Sequence, residues 1–253
     1  MNQEYRDKIA AQFKRSVDGT ITRITSKKQS HRPFHTALLS EEVIFWSAFE
    51  RSFSTSFGQG AVEEIAYQVA LANGATEAKR QKETIITIDT AYEQAITDHI
   101  QKLRDGSVSD YSWDTTLNNI RSVTPSGQTQ TLRVISDLWW KKDGIDHFIS
   151  LKTVQPNLDQ TAEAKRDCLH LSIALPTCKT YFGLWYNPFG DNRSDYNFSF
   201  PKSIFNFDKD VDVVLIGKEM WDTIGGDGCY EELLQIAASV GQDTKESIKG
   251  LKK

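Results

Sequence analysis

Apolar residues recur along the chain at two different spacings, which indicate helices and strands. Spacings of three and four residues predict helices over 3–15, 41–52, 61–72, 91–103, 160–174, 218–224 and 230–240. Runs rich in β-branched and aromatic residues predict strands over 133–140, 145–154, 180–186 and 211–216. The order of these elements predicts an α/β fold in which helices flank a mixed β-sheet.

Three other segments follow neither period. Residues 16–40 contain Gly19, Pro33 and many Ser and Thr, which predicts a strand or loop near 20–24 and then a connector. Residues 79–83 are predicted to be a charged linker, and the β-branched run 84–88 is either a strand or the beginning of the next helix. Residues 105–130 have few periodic apolar positions, so we interpret them as an insertion or loop.

The centre of the pattern is a pair of strand-like runs joined by Lys-Lys-Asp-Gly at 141–144. An Asp-Gly pair between such runs is typical of a β-hairpin. Side chains alternate along a strand, so Ser150 and Lys152 share one face of the second run. Asp137 precedes an apolar Leu-Trp-Trp segment, where a carboxylate is costly to desolvate without a partner. We therefore expect a cation or a metal ion opposite Asp137.

An aspartate on one strand and a lysine on the next suit metal-dependent cleavage of a phosphodiester. Mg²⁺ prefers oxygen ligands such as a carboxylate. A lysine can orient or deprotonate the attacking water and neutralise charge that grows on the phosphate. The alternative is an ion pair with a structural role, and the hairpin alone does not distinguish the two.

Composition narrows the class of protein. A chain of 253 residues with 39% hydrophobic and 11% aromatic residues fits a packed globular protein and excludes a disordered one, and one domain over 1–253 is the simplest organisation. Because no apolar run approaches membrane-spanning length and no signal peptide opens the chain, we expect a cytoplasmic protein. Three cysteines without CxxC spacing indicate neither a disulfide framework nor a zinc site.

Charge is distributed unevenly along the chain. The net charge is −4, but residues 1–35 alone carry +5 and the remainder −9. Such a basic N-terminal arm is compatible with phosphate contacts, although solvated helix faces give the same pattern. Its eight basic residues are Arg6, Lys8, Lys14, Arg15, Arg23, Lys27, Lys28 and Arg32.

The chain resembles a known class of nuclease. Asp137, twelve further residues and then Ser150-Leu151-Lys152 resemble the PD-(D/E)XK signature, with serine in place of the usual acid. The longer segments SDLWW, GIDHFISLKTVQPNLDQ, AKRDCL, TYFGLWYNPFG and VVLIGKEMWDTIGGDGCYEELL, with FERSFSTSFGQGAVEEIA before them, resemble type II restriction endonucleases of the TdeIII/MjaII family. The resemblance runs from near residue 45 to near residue 240.

This resemblance implies both a fold and an activity. It implies a restriction-endonuclease-like α/β/α core and Mg²⁺-dependent cleavage of double-stranded DNA at a short interrupted palindrome of the GGNCC type. A palindrome calls for a two-fold symmetric homodimer. A restriction enzyme also implies a cognate DNA methyltransferase as its genetic partner.

The resemblance assigns Asp137 as a metal ligand and Lys152 as the catalytic lysine. An acid from another element would replace the one missing at Ser150. Glu63 on an early helix is one choice, because it lies beside that helix's apolar stripe whereas Glu64 should face water. Glu163, on the helix after the lysine, is the other. We further predict DNA contacts for Lys165, Arg166 and Arg193, against the alternative that these residues lie on solvated surfaces.

Two rival functions stay open at this point. One is a repair or junction nuclease of the same fold that recognises DNA shape instead of sequence. The other is a non-catalytic DNA-binding or protein-binding domain that has lost its site, which the serine at position 150 would explain.

Overall fold

The computed structural model describes residues 1–26 and 31–252, and within these ranges five strands form one mixed sheet. Neighbouring strands follow chain order from β1 to β5; β1–β2 and β2–β3 are antiparallel, whereas β3–β4 and β4–β5 are parallel. The predicted mixed sheet is thus confirmed. The strands are β1 Glu77–Asp89, β2 Thr129–Lys142, β3 Ile145–Lys152, β4 Lys179–Leu184 and β5 Val214–Ile216.

Helices cover both faces of the sheet. On one face, α1, α4, α9 and α10 pack against the sheet residues Leu138, Ile149 and Leu215. On the other face, α5, α6, α7 and α8 pack against Phe148, Phe182 and their neighbours. The helices are α1 Gln3–Ser26, α2 Pro33–Leu38, α3 Glu41–Ser56, α4 Val62–Ala72, α5 Thr90–Arg104, α6 Trp113–Arg121, α7 Leu158–Ala174, α8 Ser199–Ile204, α9 Lys218–Gly225 and α10 Cys229–Lys249. None of these helices is both long and apolar enough to cross a bilayer.

The predicted hairpin and crossover are both present. Asp143 and Gly144 form the turn between β2 and β3 with φ of 51° and 77°, the positive values that a tight type I′ turn requires. From β3 the chain crosses through α7 to the parallel strand β4. Helix α7 begins at a capping box in which Asn157 accepts a hydrogen bond from the backbone of Gln160 and the Gln160 side chain accepts one in return.

The structure corrects the prediction of a linker over 79–83. These residues lie in the middle of β1, which pairs with β2 from Glu77 to Asp89. Charged and polar side chains dominate this strand, and most of its positions are exposed or only half buried. The β-branched run 84–88 is the second half of β1 and not the beginning of the next helix. The first half is held by pairing with β2 and shows little alternation of apolar residues, so periodicity did not indicate it.

Three further segments are more helical than predicted. Helix α1 continues to Ser26, so the strand or loop predicted near 20–24 is wrong; the Thr20 hydroxyl is buried and donates to the Ser16 carbonyl one turn earlier. Residues 105–130 contain α6, whose Trp113, Leu117 and Ile120 are buried. The last helix extends to Lys249 instead of ending near 240.

Candidate active site

Asp137 and Lys152 meet on one face of the sheet. They extend from β2 and β3, and Lys152 Nζ lies 3.6 Å from Asp137 Oδ2. The same oxygen accepts a 2.7 Å hydrogen bond from the Leu151 N–H, and the Ser150 hydroxyl approaches it at 3.5 Å. At 3.6 Å the ammonium is close enough for attraction but too far for a normal hydrogen bond. Lys152 therefore keeps donors for a water molecule or a phosphate.

Gln81 lies opposite Asp137 in the β1–β2 ladder. The pairs on either side are formed, but the central one is not, and Gln81 has a φ of 47°. Its side-chain amide donates to Asp137 Oδ1 at 3.1 Å. Both oxygens of the Asp137 carboxylate are thus held by the protein. A non-glycine residue with positive φ inside a strand is strained, and such strain occurs most often at functional sites.

The strands change orientation at this irregular pair. Val134 and Ile86 belong to the cluster on the α7 side, whereas Leu138 packs on the α4 side. Residues 134 and 138 would share a face in a regular strand. The twist at Gln81 and Asp137 therefore directs the carboxylate of Asp137 toward Lys152. Sequence reasoning missed Gln81, because nothing local in the sequence indicates this irregularity.

Two acids of α7, Glu163 and Asp167, lie one helical turn apart, and Asp167 lies beside this pair. Glu163 is exposed and Asp167 half buried. Burial, together with repulsion from Glu163, raises the pKa of Asp167 to about 6, and the charges of Lys152 and Asp137 also act on it. Asp167 is thus an acid of the Asp137–Lys152 site that sequence reasoning assigned no role. The spacing of four from Glu163 was the available signal.

Glu63 lies against a different partner. The Glu63 carboxylate is 3.7 Å from Arg80 Nε, and the guanidinium of Arg80 also pairs with Glu64. The helix that carries both acids packs on the face with Leu138, opposite the face of Lys152. Glu64, expected in water, is partly buried because Arg80 reaches it from β1. The structure does not join Glu63 to Asp137, and its role as a ligand stays a prediction.

Lys165 is not placed to contact DNA. Its side chain is fully buried, and its ammonium donates to the carbonyl oxygens of Tyr111 at 2.9 Å and Ile204 at 2.8 Å. Burial lowers the pKa of Lys165 to about 8. The prediction of a phosphate contact is wrong for this residue, because its donors face the protein core. Lys165 instead ties the segment before α6 and the last residue of α8 to α7.

Arg193 likewise has a structural environment. Its guanidinium pairs with Glu219 and donates to the carbonyl oxygens of Phe207 and Val214, and only 15% of its side chain is exposed. The predicted DNA contact of Arg193 is therefore not supported by its position. Arg166 differs, because it is only half buried on α7, beside Asp167. Arg166 keeps its predicted role in DNA contact.

The predicted basic arm is mainly helix α1. Arg6 pairs with Glu232 of α10, and Lys8 and Lys14 pair with acids one turn away on α1 itself. Arg23 donates to the hydroxyls of Ser52 and Ser56 on α3. Lys27 and Lys28 lie outside the described residues. Contacts within the protein thus engage much of the positive charge that the sequence placed here.

Replacing Lys165 with methionine should destabilise the protein. Methionine has a similar length, but it leaves the carbonyl oxygens of Tyr111 and Ile204 buried without these hydrogen bonds. We expect the free energy of unfolding to fall by about 2–4 kcal/mol. Urea unfolding followed by circular dichroism measures this change. Lys102→Met, on an exposed part of α5, is the control and should change stability little; equal stability of both variants would contradict the structural role.

The donor atoms around Asp137 suit a hard divalent cation. Asp137, Asp167 and Glu163 offer carboxylate oxygens, whereas zinc sites usually include histidine or cysteine. Within residues 1–26 and 31–252, no three acidic, histidine or cysteine side chains are grouped closely enough to hold an ion. This is compatible with Mg²⁺, which commonly binds one or two carboxylates and takes its other ligands from water and substrate phosphates.

A mixed sheet between two helical layers, with an aspartate and a lysine on adjacent strands, is the architecture of the restriction-endonuclease-like class. Comparison with known proteins specifies the family. The family model for the type II restriction endonuclease HinfI matches residues 1–241. The chain belongs to the HinfI family of type II restriction endonucleases, and it is therefore an enzyme of the site-specific deoxyribonuclease class.

Curated relatives agree with this family. The type II restriction enzyme HgiEI of Herpetosiphon aurantiacus is 31% identical over 244 residues, which cover 94% of this chain and 86% of the relative. HgiCII from the same organism is 29% identical, with 92% of this chain and 85% of the relative covered. HgiBI, also from this organism, is 31% identical over 85% of this chain and 79% of its own length. The predicted class is confirmed, while the narrower TdeIII/MjaII assignment is not.

Proposed function

We propose that this protein is a Mg²⁺-dependent restriction endonuclease that hydrolyses phosphodiester bonds in both strands of a specific DNA sequence. The observation that carries the proposal is the meeting of Asp137 and Lys152 on adjacent strands, beside the acids of α7, in a chain of the HinfI family. An ion pair with a purely structural role would not explain the strained Gln81, or an ammonium of Lys152 that lies beyond normal hydrogen-bond distance of the Asp137 carboxylate.

Each residue of the site has a separate task. Asp137 and one carboxylate of α7 would hold the metal ion, which when bound supplies positive charge at the phosphate and lowers the pKa of a coordinated water. Lys152 orients the attacking water and neutralises charge on the phosphate. The Leu151 N–H and the Gln81 amide hold the Asp137 carboxylate in position. Ser150 contributes at most a hydrogen bond, because a neutral hydroxyl is a weaker ligand than a carboxylate.

The substrate and partners follow from the proposed activity. A short interrupted palindrome of the GGNCC type is the proposed recognition sequence, and two copies of the chain related by a two-fold axis would cut its two strands. This recognition sequence is suggested by the resemblance to the TdeIII/MjaII enzymes, and it stays a prediction. A cognate DNA methyltransferase would protect the same site in the host.

Digestion of plasmid DNA with and without Mg²⁺, followed by sequencing of the ends, tests the proposal. Discrete fragments with a common end sequence are expected, and only when Mg²⁺ is present. Nicking that follows DNA structure instead of sequence would favour a repair or junction nuclease. DNA binding without any cleavage, unchanged by replacement of Asp137, would indicate a non-catalytic domain.

Gln81→Gly should separate activity from stability. Glycine relieves the strained φ of 47° while removing the amide that holds Asp137 Oδ1. We expect cleavage to slow by about 10–100-fold, because one hydrogen bond to a charged group is lost. We expect a higher Mg²⁺ concentration for the half-maximal rate and a free energy of unfolding within about 1 kcal/mol of the original.

Single-turnover cleavage across a Mg²⁺ series and urea unfolding give these values. Gln101→Gly, at an exposed position of α5, is the control with the reverse pattern, since it should lower stability without affecting cleavage. A Gln81→Gly protein with unchanged Mg²⁺ dependence would show that Gln81 does not position Asp137.

A further inference from the structure

An exposed apolar patch lies on α2 and at the beginning of α3. Phe34 is 80% exposed, Leu38 81%, Val43 50% and Leu39 45%. Together these side chains present on the order of 300–500 Å² of apolar surface. This area equals that of the largest apolar patch on a typical single chain, and such patches are often functional. We call this set of four residues the α2–α3 patch.

None of the described residues covers the patch. In the described structure, α2 and α3 contain no fully buried residue, although α3 carries many aromatic side chains. Helix α2 packs on α3, while α3 is joined to α1 by contacts such as those of Arg23 with Ser52 and Ser56. The region is therefore anchored at the end of α3 and presents its apolar side chains outward at the other end.

We propose that the α2–α3 patch is the interface through which two copies of this chain form a dimer. Three of the four patch residues lie within 33–40, a segment without Lys, Arg, Asp or Glu, so the centres of two identical patches can meet without repulsion between charges. Glu41 and Glu42 lie between Leu39 and Val43, and we place them at the edge of the interface. The same lack of cations makes the patch unsuited to DNA phosphates. In a two-fold dimer the patch of one chain contacts the same patch of the other chain, so the apolar area removed from water is twice that of a single patch.

The size of the patch fits the centre of such an interface. A stable dimer buries about 800 Å² on each partner, with an apolar centre and a polar rim. The patch supplies about half of that area, and the exposed polar residues of α3 beside it can form the rim. These polar residues are Ser40, Glu41 and Ser47. The expectation that a dimer forms also draws on the proposed function, since a palindromic site requires two active sites.

The test compares two double variants of the full chain. Phe34→Ser with Leu38→Ser removes the most exposed members of the patch. Ile85→Ser with Ile135→Ser is the matched control, because these side chains are 63% and 40% exposed on the β1–β2 ribbon. Light scattering coupled to size exclusion, without DNA or Mg²⁺, gives the mass of each protein. Circular dichroism verifies that each variant is folded.

We expect the unsubstituted protein and the ribbon variant to have twice the chain mass of 28.7 kDa. The patch variant should have the mass of one chain, with its dimer dissociation constant raised by about 100-fold or more. Its folding should be unaffected, because both replaced side chains already face solvent. A monomeric original protein, a patch variant that stays dimeric, or a ribbon variant that dissociates would each overturn the proposal.

Cross-linking gives a second measurement. Leu38→Cys should form a covalent dimer with a short bismaleimide. The unsubstituted chain, in which Cys168 and Cys229 are buried and Cys178 is half buried, is the background control and should not form this product. Absence of this product would overturn the proposal. Because neither measurement uses cleavage, a dimer without nuclease activity would refute the proposed function while supporting this interface.

Discussion

Replacing Asp137 with asparagine should lower the rate of DNA cleavage by about 10³-fold or more. The change removes the charge that would bind the metal ion, and a bound ion contributes several kcal/mol to the transition state. Asparagine keeps an oxygen for the Leu151 N–H, so the protein should stay folded. DNA affinity should be equal or higher, because one negative charge near the phosphate is lost. Single-turnover cleavage and a binding titration measure the two effects separately.

Lys152→Ala should slow cleavage by about 10²–10³-fold, since it removes the group that orients the water. Lys142→Ala, on the same hairpin but away from Asp137, is the control and should leave the rate unchanged. If Asp137→Asn or Lys152→Ala cleaved DNA at the original rate, this pair would have only a structural role. The nuclease site would then have to lie elsewhere in the chain.

The hairpin that carries this pair could be predicted from local sequence. The Asp-Gly turn fixes its position, and alternation along β3 places Ser150 and Lys152 on one face. Pairing of β2 with β3 then brings Asp137 within reach of Lys152, as observed. Local sequence signals were sufficient here because both strands belong to one hairpin and are close together in the sequence.

Features that depend on distant parts of the chain could not be predicted in the same way. Strand β1 is defined by its pairing with β2, some fifty residues later, and its first half, residues 77–83, is too polar to reveal it. Lys165 has the composition of a surface residue, yet backbone carbonyls from two remote segments hold it in the core. Sequence periodicity reports which face of an element is apolar, but not which polar groups the rest of the fold supplies.

The acid that replaces the one missing at Ser150 shows the same limit. Sequence spacing offered Glu63 and Glu163, whereas the structure adds Asp167 and separates Glu63 onto the other face of the sheet. Asp167 is more buried than Glu163 and interacts electrostatically with both Asp137 and Lys152. A partly buried carboxylate whose pKa is raised in the free protein is favoured to bind a cation, because the cation compensates the cost of burying its charge.

Asp167→Asn should therefore lower activity while raising stability. We expect cleavage to slow by about 100-fold or more and the Mg²⁺ requirement to increase. Burial raises the pKa of this acid from 3.8 to about 6, so its ionised form destabilises the fold. This penalty is absent below pH 3.8, grows as the pH rises toward 6 and is complete above it. Asparagine should thus stabilise the free protein by on the order of 1 kcal/mol at pH 8 and by much less at pH 4.

Two variants on the same helix complete the comparison. Glu163→Gln, at an exposed position, should slow cleavage by about tenfold or less, and Asp159→Asn, which removes only a pair with Arg104 at the beginning of α7, should leave the rate unchanged. Single-turnover rates across a Mg²⁺ series, with urea unfolding at both pH values, provide the measurements. Glu163 would be the metal ligand if Glu163→Gln inactivated the enzyme while Asp167→Asn remained active and gained no stability at pH 8. The burial of Asp167 would then result from packing of α7 against β3 and would have no role in binding a cation.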